Sequence, residues 1–520
     1  MARFTSWSKI LGSMVLAVWA LSLTASAEPQ TKYDSRLREG WTLMSRLQYE
    51  QALSAFHEAR MSPDARVRVR AGAGLVQAFL RLGLFTEAAI IGGDVAAKDP
   101  RSAAALSVHG DALWANGLFP EAEARYAQAL AIDRNDPGAR HGLGRSLAAR
   151  GRLDEALAET RRAIAEDPQE PAYYYTLGVI QERQRDFRAA ADTLATYLDR
   201  LPSRDQSEMA KWARTQVDFL RSWGSRTPFE FVSRDEIYTV PFRMEGDRVL
   251  VQGRVNGLTD VEFAIDTGTD QTILTPEIAR RSSIEPAGRL QTAGVGSLGF
   301  GFRGLEIARI EDLEIGPLHV RNLTSVIKSP PLDGLPRQEG PGFSPLALGL
   351  SMRIDYEHQV LTMARQLPPA TYETRLPLRM QRLPIVRGVV NGNVMASLAI
   401  DTGGEGTAIS QRVAGRLGDD PEVRRVPARV YGSAGWDPGA FLLPFVDISL
   451  TQSIGLQQAS VVVLDLDAPS ALLGFDLGGI LGQQFLRHYT VTIDLDRSEV
   501  GLQKVAAAAP GDPGRAGPRR

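Results

Sequence analysis

Cysteine is absent from this 520-residue chain, and histidine is rare, with only 6 residues. The absence of cysteine excludes disulfides, thiolate nucleophiles and Cys-ligated zinc sites. None of the histidines has the H-E-x-x-H spacing that places two zinc ligands on one face of a helix. The sequence therefore predicts a chemistry that needs no metal and no cofactor.

A surplus of positive charge is also missing. The formal net charge is −2, and we do not expect nucleic acid as a partner because phosphate binding requires a basic surplus. The composition, 43% hydrophobic and 23% charged, is that of a globular protein with buried cores. At ordinary domain sizes, the length predicts about three to four domains.

Long apolar runs are confined to the N-terminus. Arg3 and Lys9 precede an apolar segment at 10–23, and Ala25-Ser26-Ala27 follows. This order predicts a secretory signal peptide at 1–27, with a periplasmic or secreted mature protein. The alternative is an uncleaved anchor, but the run is short for a membrane span. We expect cleavage and no stable membrane span afterwards.

Residues 33–204 are rich in Ala, Leu, Arg and Glu and repeat with a period of 34 residues. The repeat is carried by three glycines and by three alanines twelve residues after them: Gly110, Gly144, Gly178, Ala122, Ala156 and Ala190. The pattern resembles the tetratricopeptide repeat, and we count about five copies. Such repeats stack into a superhelix whose concave face can bind a protein partner. Residues 205–228 are predicted to form a capping helix and linker.

After Pro228 the sequence changes to short alternating strands. Asn256-Gly257 and Asn391-Gly392 each separate two apolar runs, which is a strong signal for a β-hairpin. We predict a first lobe at 229–367 and a second lobe at 377–505. The tail at 506–520, rich in Ala, Pro, Gly and Arg, is predicted to be disordered.

One short stretch occurs once in each lobe. Phe263-Ala264-Ile265-Asp266-Thr267-Gly268 corresponds to Leu398-Ala399-Ile400-Asp401-Thr402-Gly403, 135 residues later. The hairpins upstream keep the same register. Each copy is an apolar strand that ends in Asp-Thr-Gly, so the β-rich half is a duplicated unit.

Two neighbouring carboxyl groups can hydrolyse a peptide without metal or covalent nucleophile. Like charges at close range cannot both ionise, so one group stays protonated as an acid and the other serves as a base, as in the pepsin dyad. Thr267 and Thr402 supply hydroxyls that could tie the two loops together. Gly268 and Gly403 allow a tight turn and free a backbone N–H near each carboxylate.

At these residues the chain resembles the retropepsin-like aspartic peptidases, including bacterial aspartyl protease family proteins. The resemblance implies closed all-β barrel lobes in tandem after the all-α tetratricopeptide superhelix. It also implies one catalytic aspartate per lobe, glycine-rich flaps and an apolar-apolar-Gly bracing element. The matching positions are Asp266 and Asp401 for catalysis, Gly294, Gly296, Tyr431 and Gly432 for the flaps, and Ile480, Leu481 and Gly482 for bracing.

The first unit departs from the pattern at its bracing element, where both Gly342-Phe343-Ser344 and Ala347-Leu348-Gly349 are candidates. Residues 294–299 match a G-x-G-x-x-G dinucleotide fingerprint, but 300–304 cannot open the helix that this motif needs. Three hypotheses remain. The chain is an exported endopeptidase with one dyad, or a non-catalytic peptide-binding adaptor of the cell envelope, or each lobe pairs with another chain.

Overall fold

The computed structural model describes residues 32–290, 305–328, 340–418, 425–432 and 435–505. These residues form two compact units. One unit contains the described residues up to Ser146 together with Ala158–Tyr174 and Tyr197–Asp205. The other contains Leu147–Leu157, Tyr175–Thr196 and the chain from Gln206 onward.

The N-terminal half is helical, as the repeat pattern predicts. Five consecutive helix pairs are followed by one further helix at the position predicted for the cap. The helices are α1 (residues 32–45), α2 (Tyr49–Ala59), α3 (Ala65–Arg81), α4 (Phe85–Lys98), α5 (Ala103–Ala115), α6 (Phe119–Ile132), α7 (Pro137–Ala149), α8 (Leu153–Glu166), α9 (Pro171–Arg183), α10 (Phe187–Arg200) and α11 (Glu208–Arg221).

Glycines in this region make room for buried aromatic rings. Tyr126 of α6 lies between Gly110 and Gly142, and a Cβ added at these glycines would come within 2.5 and 2.3 Å of its ring. Phe56 is held in the same way, 2.5 Å from a Cβ added at Gly74. The small residues of the repeat are therefore needed because two helices close on one ring.

We expect Gly142→Ala to destabilise the helical unit by about 1–3 kcal/mol, because the added methyl overlaps the rigid ring of Tyr126. Gly93→Ala is the matched control. A Cβ added there finds only the His109 ring, at 3.7 Å, so helix propensity should make it neutral or stabilising by up to about 1 kcal/mol. Urea unfolding followed by far-ultraviolet circular dichroism measures both, and equal midpoints would contradict the packing explanation.

The C-terminal half is built from strands. Those of the first lobe are β1 (Glu230–Phe231), β2 (Ile237–Pro241), β3 (Arg243–Glu245), β4 (Arg248–Val255), β5 (Thr259–Ile265), β6 (Thr272–Leu274), β7 (Pro286–Leu290), β8 (Leu305–Ile315), β9 (Leu318–Lys328), β10 (Gly342–Phe343), β11 (Ser351–Asp355) and β12 (Val360–Ala364). This lobe also contains α12 (Pro276–Arg281) and a short 3-10 helix at Pro345–Leu348.

The second lobe repeats this arrangement. Its strands are β13 (Thr374–Pro377), β14 (Arg379–Gln381), β15 (Leu383–Val390), β16 (Val394–Ile400), β17 (Ala408–Ser410), β18 (Val426–Pro427), β19 (Val430–Gly432), β20 (Gly435–Asp437), β21 (Phe441–Ser449), β22 (Gly455–Leu464), β23 (Gly479–Leu481), β24 (Tyr489–Asp494) and β25 (Glu499–Lys504). Its helices are α13 (Gln411–Arg416), α14 (Asp467–Leu473) and α15 (Gln483–Leu486).

Most strands of each lobe belong to one large sheet. The strand order is β1-β9-β6-β10-β5-β4-β8-β7 in the first lobe, with β3 beside β4, and β14-β15-β16-β23-β17-β22-β21-β18 in the second. The predicted hairpins are present. Asn256-Gly257 joins β4 to β5 and Asn391-Gly392 joins β15 to β16, with positive φ at all four residues. That geometry is the type I′ turn that Asn-Gly favours.

A third sheet takes strands from both lobes. Its order is β13-β25-β24-β11-β12-β2, and the lobes meet where β11 pairs with β24, Ile354 opposite Val491. Backbone hydrogen bonds therefore join the two lobes within one chain. This arrangement favours a single-chain dyad over lobes that pair with other chains.

Several predicted segments lie outside the described residues. They are the signal peptide at 1–27, the first flap candidate with Gly294 and Gly296, and the tail at 506–520. The helices of the described part do not include one that is both long enough and apolar enough to cross a membrane.

Candidate active site

Asp266 and Asp401 stand at equivalent places, each directly after a buried strand. β5 ends at Ile265 and β16 ends at Ile400, both of which are almost fully buried. The backbone N–H of Asp266 donates to the Phe343 carbonyl oxygen at 3.0 Å, and that of Asp401 donates to the Leu481 oxygen at 3.0 Å. Each aspartate is thus fixed by its own strand and by a neighbouring bracing strand.

The bracing element of the first lobe can now be assigned. β10 runs parallel to β5 with Phe343 opposite Ile265, as β23 runs parallel to β16 with Leu481 opposite Ile400. Gly342-Phe343-Ser344 therefore takes the bracing position, and the other candidate falls in and after the 3-10 helix. In the second lobe the third position must be glycine, because a Cβ at Gly482 would lie 2.1 Å from the Gly406 carbonyl oxygen.

The two threonines tie the catalytic loops together reciprocally. The Thr267 N–H donates to Thr402 Oγ1 at 3.1 Å, and the Thr402 N–H donates to Thr267 Oγ1 at 3.0 Å. Each hydroxyl in turn donates across the pair, to the carbonyl oxygen of Ile400 at 2.6 Å or of Ile265 at 2.7 Å. Both threonines are at most 1% exposed. The four bonds hold one aspartate loop against the other.

We expect Thr267→Val to lower the free energy of unfolding by about 1–3 kcal/mol. Valine keeps the shape of threonine but leaves the buried Thr402 N–H without its acceptor. Thr371→Val makes the same change at an exposed position and should be nearly neutral. Calorimetric unfolding of the three proteins measures the difference, and equal midpoints would mean that these bonds do not stabilise the junction.

The glycines of the two loops bring the carboxyl groups together. A Cβ added at Gly268 would lie 2.6 Å from Asp401 Cγ, and one added at Gly403 would lie 2.5 Å from Asp266 Cγ. The two carboxyl groups are therefore neighbours, close enough for the negative charge of Asp401 to raise the pKa of Asp266. Only a residue without a side chain leaves space at these points for the carboxyl group of the opposite lobe.

The two carboxyl groups differ in their surroundings. Burial, and then the negative charge of Asp401, raise the pKa of Asp266 to about 8. Burial also raises the pKa of Asp401, but backbone N–H groups, including those of Gly403 at 2.9 Å and Gly404 at 3.1 Å, oppose the increase. Asp266 accepts one such bond, from Gly268 at 2.8 Å. Asp401 is therefore the better-stabilised anion, and Asp266 is the group that keeps a proton.

Part of the second flap candidate is described. β19 and β20 form a two-stranded sheet with Tyr431 opposite Trp436, so Tyr431 and Gly432 lie in a hairpin. Asp437, at the end of β20, is buried and accepts the N–H groups of Gly439 and Asp465, each at 2.9 Å. The hairpin is thus anchored at its base.

Sequence reasoning missed two supporting side chains. Gln483 is fully buried and donates from Nε2 to the Thr402 carbonyl oxygen at 2.7 Å, while its Oε1 accepts the Tyr356 hydroxyl at 2.9 Å. Arg382 makes an ion pair with Asp270, four residues after Asp266, at 2.9 Å. The place of Gln483 directly after the bracing glycine could have suggested a role for it, but no sequence signal marks Arg382.

One group of possible metal ligands occurs among the described residues. Asp312, Glu314 and His319 on the β8–β9 hairpin each offer an atom within 4.8 Å of the others. Asp312 Oδ1 already forms hydrogen bonds with His319 Nε2 at 2.7 Å and with Arg321 Nε at 3.2 Å. The neighbouring guanidinium opposes a cation there, so the contacts explain the cluster as an ion-pair network.

Two segments of the chain match models of known families. Residues 113–178 match the model described as a tetratricopeptide repeat. Residues 251–335, which include Asp266, match the model described as a gag-polyprotein putative aspartyl protease. The chain therefore carries tetratricopeptide repeats and a gag-type aspartyl-protease-like domain, which confirms both resemblances at this level.

Solved structures resemble the chain at low identity. A thermophilic TPR protein from Thermus thermophilus is 21% identical, covering 36% of this chain and 98% of that one, with a TM-score of 0.29. An aspartic proteinase from Irpex lacteus is 13% identical, covering 52% of this chain and 98% of that one, with a TM-score of 0.34. No curated protein matches the sequence significantly.

Proposed function

We propose that the protein is an exported aspartic endopeptidase in which Asp266 and Asp401 of one chain activate a water molecule. The observation that carries the proposal is that the two carboxyl groups, one from each lobe, each lie against the glycine of the opposite loop, with the loops held by reciprocal threonine bonds. The aspartyl-protease-like match over 251–335 supports the same chemistry.

The roles follow from the surroundings of each carboxyl group. Asp401, with more N–H donors, is the ionised base that takes a proton from the attacking water. Asp266, with the pKa near 8, is the acid that donates its proton to the carbonyl oxygen of the scissile peptide. As the C–N bond of the tetrahedral diol breaks, Asp401 passes its proton to the leaving amine and Asp266 takes back a proton from one hydroxyl of the diol. The products are a carboxylic acid and an amine, and the pair again holds one proton on Asp266.

The proposed activity is tested by cleavage-site profiling on a peptide library, with pepstatin as a second probe. We expect pepstatin-sensitive cleavage by the wild-type protein and none by the Asp401→Asn protein. Measurable peptide affinity without hydrolysis at any pH would instead support the adaptor hypothesis. That hypothesis arose from the irregular bracing element of the first lobe, which now has a regular counterpart in β10.

Export and recruitment are the remaining parts of the proposal. The apolar segment at 10–23 and the Ala25-Ser26-Ala27 site support cleavage before Glu28 and a periplasmic or secreted location. N-terminal sequencing of the mature protein tests this, and a start other than Glu28 would contradict it. The tetratricopeptide repeats would recruit a protein substrate or partner, as stacked repeats commonly do.

A further inference from the structure

Arg382 occupies an unusual place for a charged residue. It lies in the turn between β14 and β15 with φ +61, and its side chain is 17% exposed. A left-handed backbone at a residue with a long side chain persists only where the surroundings fix it. The side chain of Arg382 reaches the first catalytic loop through Asp270 Oδ2, at 2.9 Å.

Residues of the helical region surround this guanidinium. It lies over the ring of Trp212 of α11, 3.9 Å from the ring centroid, and donates a hydrogen bond to the Tyr175 hydroxyl of α9. Trp212 is 2% exposed, and the Tyr175 ring packs edge-on against it with centroids 5.7 Å apart. Glu182, also on α9, interacts electrostatically with Arg382: burial raises the pKa of Glu182 to about 7, while the charge of Arg382 opposes the increase.

An arginine next to α9 contacts the segment that follows the bracing strand of Asp266. Arg185 follows α9 with φ +67 and donates to the Leu348 carbonyl oxygen at 2.7 Å and to that of Phe229 at 3.0 Å. Leu348 ends the 3-10 helix that comes directly after the bracing strand β10. The segment after the bracing strand therefore contacts Arg185 directly, and the loop that follows Asp266 is connected to α9 and α11 through Arg382.

The second lobe has no such support within the residues that the structure covers. The position that corresponds to Asp270 is Glu405, 135 residues later, and it is exposed and makes no ion pair with a described residue. The position in the first lobe that corresponds to Arg382 is Asp247, which pairs with Arg487 of α15's C-terminal end at 2.7 Å. The two halves of the duplication therefore differ at this ion pair, which, among the described residues, only the loop after Asp266 has.

We propose that α9 and α11 are part of the catalytic apparatus, because Tyr175 and Trp212 fix Arg382, and Arg382 fixes Asp270 and the loop that carries Asp266. Arg382 is then a positioning residue. The inference rests on the proposed function and adds to it. The last helices complete the active site of the first lobe, in addition to any partner that the repeats recruit.

The test uses the full-length protein and compares Arg382→Met with Arg487→Met, which breaks the corresponding pair beside the second lobe. Hydrogen exchange is followed in peptides covering 266–275 and 401–410. We expect Arg382→Met to speed exchange at 266–275 by about tenfold or more and to leave 401–410 unchanged, because the lost contacts lower the local opening free energy. Arg487→Met should leave 266–275 as protected as in the wild type.

Two further variants keep the test decisive if Arg382→Met does not fold. Tyr175→Phe removes one hydroxyl, and Trp212→Phe reduces the ring under the guanidinium; both should speed exchange at 266–275 selectively. In cleavage assays these variants should lower kcat about tenfold with KM changed by less than about twofold, because positioning acts on the reacting groups. Unchanged exchange at 266–275 in all of the folded variants would overturn the proposal.

The exchange measurement separates this inference from the proposed activity. If the wild-type protein hydrolyses no peptide but the variants still speed exchange at 266–275, the endopeptidase proposal fails and the helical support of the loop stands. If the wild type is active and the variants change neither exchange nor kcat, the endopeptidase proposal stands and the role of α9 and α11 is wrong.

Discussion

Asp401→Asn is expected to lower kcat/KM for peptide cleavage by about 10³-fold or more, and Asp266→Asn by a similar factor. Asparagine keeps the shape and the hydrogen bonds at the loops, but it can neither accept a proton from water nor donate one to the substrate. The two losses should not add in the double variant, because the carboxyl groups act as a unit. Activity that survives either single substitution would rule out a shared dyad.

The pH dependence of the wild type follows from the same pair. Cleavage needs one proton on the two carboxyl groups, so the rate should fall as the pH rises through about 8, where Asp266 ionises. It should fall again at low pH, as Asp401 takes up a proton. A profile of kcat/KM that still rises above pH 9 would contradict the assignment of Asp266 as the acid.

The Asp266→Asn substitution should change stability in the opposite direction to activity. The pKa of Asp266 is raised on folding, so its stabilising contribution is complete below its ordinary value of 3.8 and is lost as the pH rises through about 8. Asparagine does not ionise, so the variant does not lose stability as the pH rises through this range. We therefore expect Asp266→Asn to unfold at a higher temperature than the wild type at pH 9, with a smaller difference at pH 5. Calorimetry at the two pH values measures this.

The second large effect is expected from Gly403→Ala, which should lower kcat/KM by about 10²-fold or more. The added methyl would lie 2.5 Å from Asp266 Cγ, so one of the two loops must move. A displacement of about 1 Å at a reacting group costs about that factor in rate. Substrate binding depends on the whole cleft, and KM should therefore change less than kcat.

Gly406→Ala is the matched control for this variant. It makes the same substitution three residues further along the same loop, where an added Cβ has no neighbour within 4 Å among the described residues. We expect wild-type kcat and KM from it. Gly268→Ala provides the reciprocal test from the first lobe, since its methyl would lie 2.6 Å from Asp401 Cγ. Equal activity of Gly403→Ala and Gly406→Ala would show that the close approach is not required.

The sequence was sufficient to predict the elements that depend on interactions between residues close along the chain. The period of 34 residues predicts the helix pairs because each pair must bury its apolar face against the next. The Asn-Gly turns predict both hairpins because a turn with positive φ at two successive positions favours Asn followed by Gly. The same holds for the strands that lead to Asp266 and Asp401, whose apolar residues are buried.

The bracing element of the first lobe needed the structure. Gly342-Phe343-Ser344 lacks the glycine at its third position, and its spacing from Asp266 differs from that in the second lobe. What defines the element is the parallel pairing of β10 with β5. A pairing between strands distant in sequence leaves little trace in the residues themselves, because many apolar residues can satisfy it.

The sequence by itself determined the helical repeats, the duplication and the two Asp-Thr-Gly loops, because periodicity and turn chemistry act between residues that are close along the chain. The tertiary structure decided that the two carboxyl groups lie next to each other, that one sheet joins the lobes, and that Arg382 connects α9 and α11 to the first loop. These are contacts between residues far apart along the chain, selected by shape and charge after folding, and a single sequence does not encode them as a pattern.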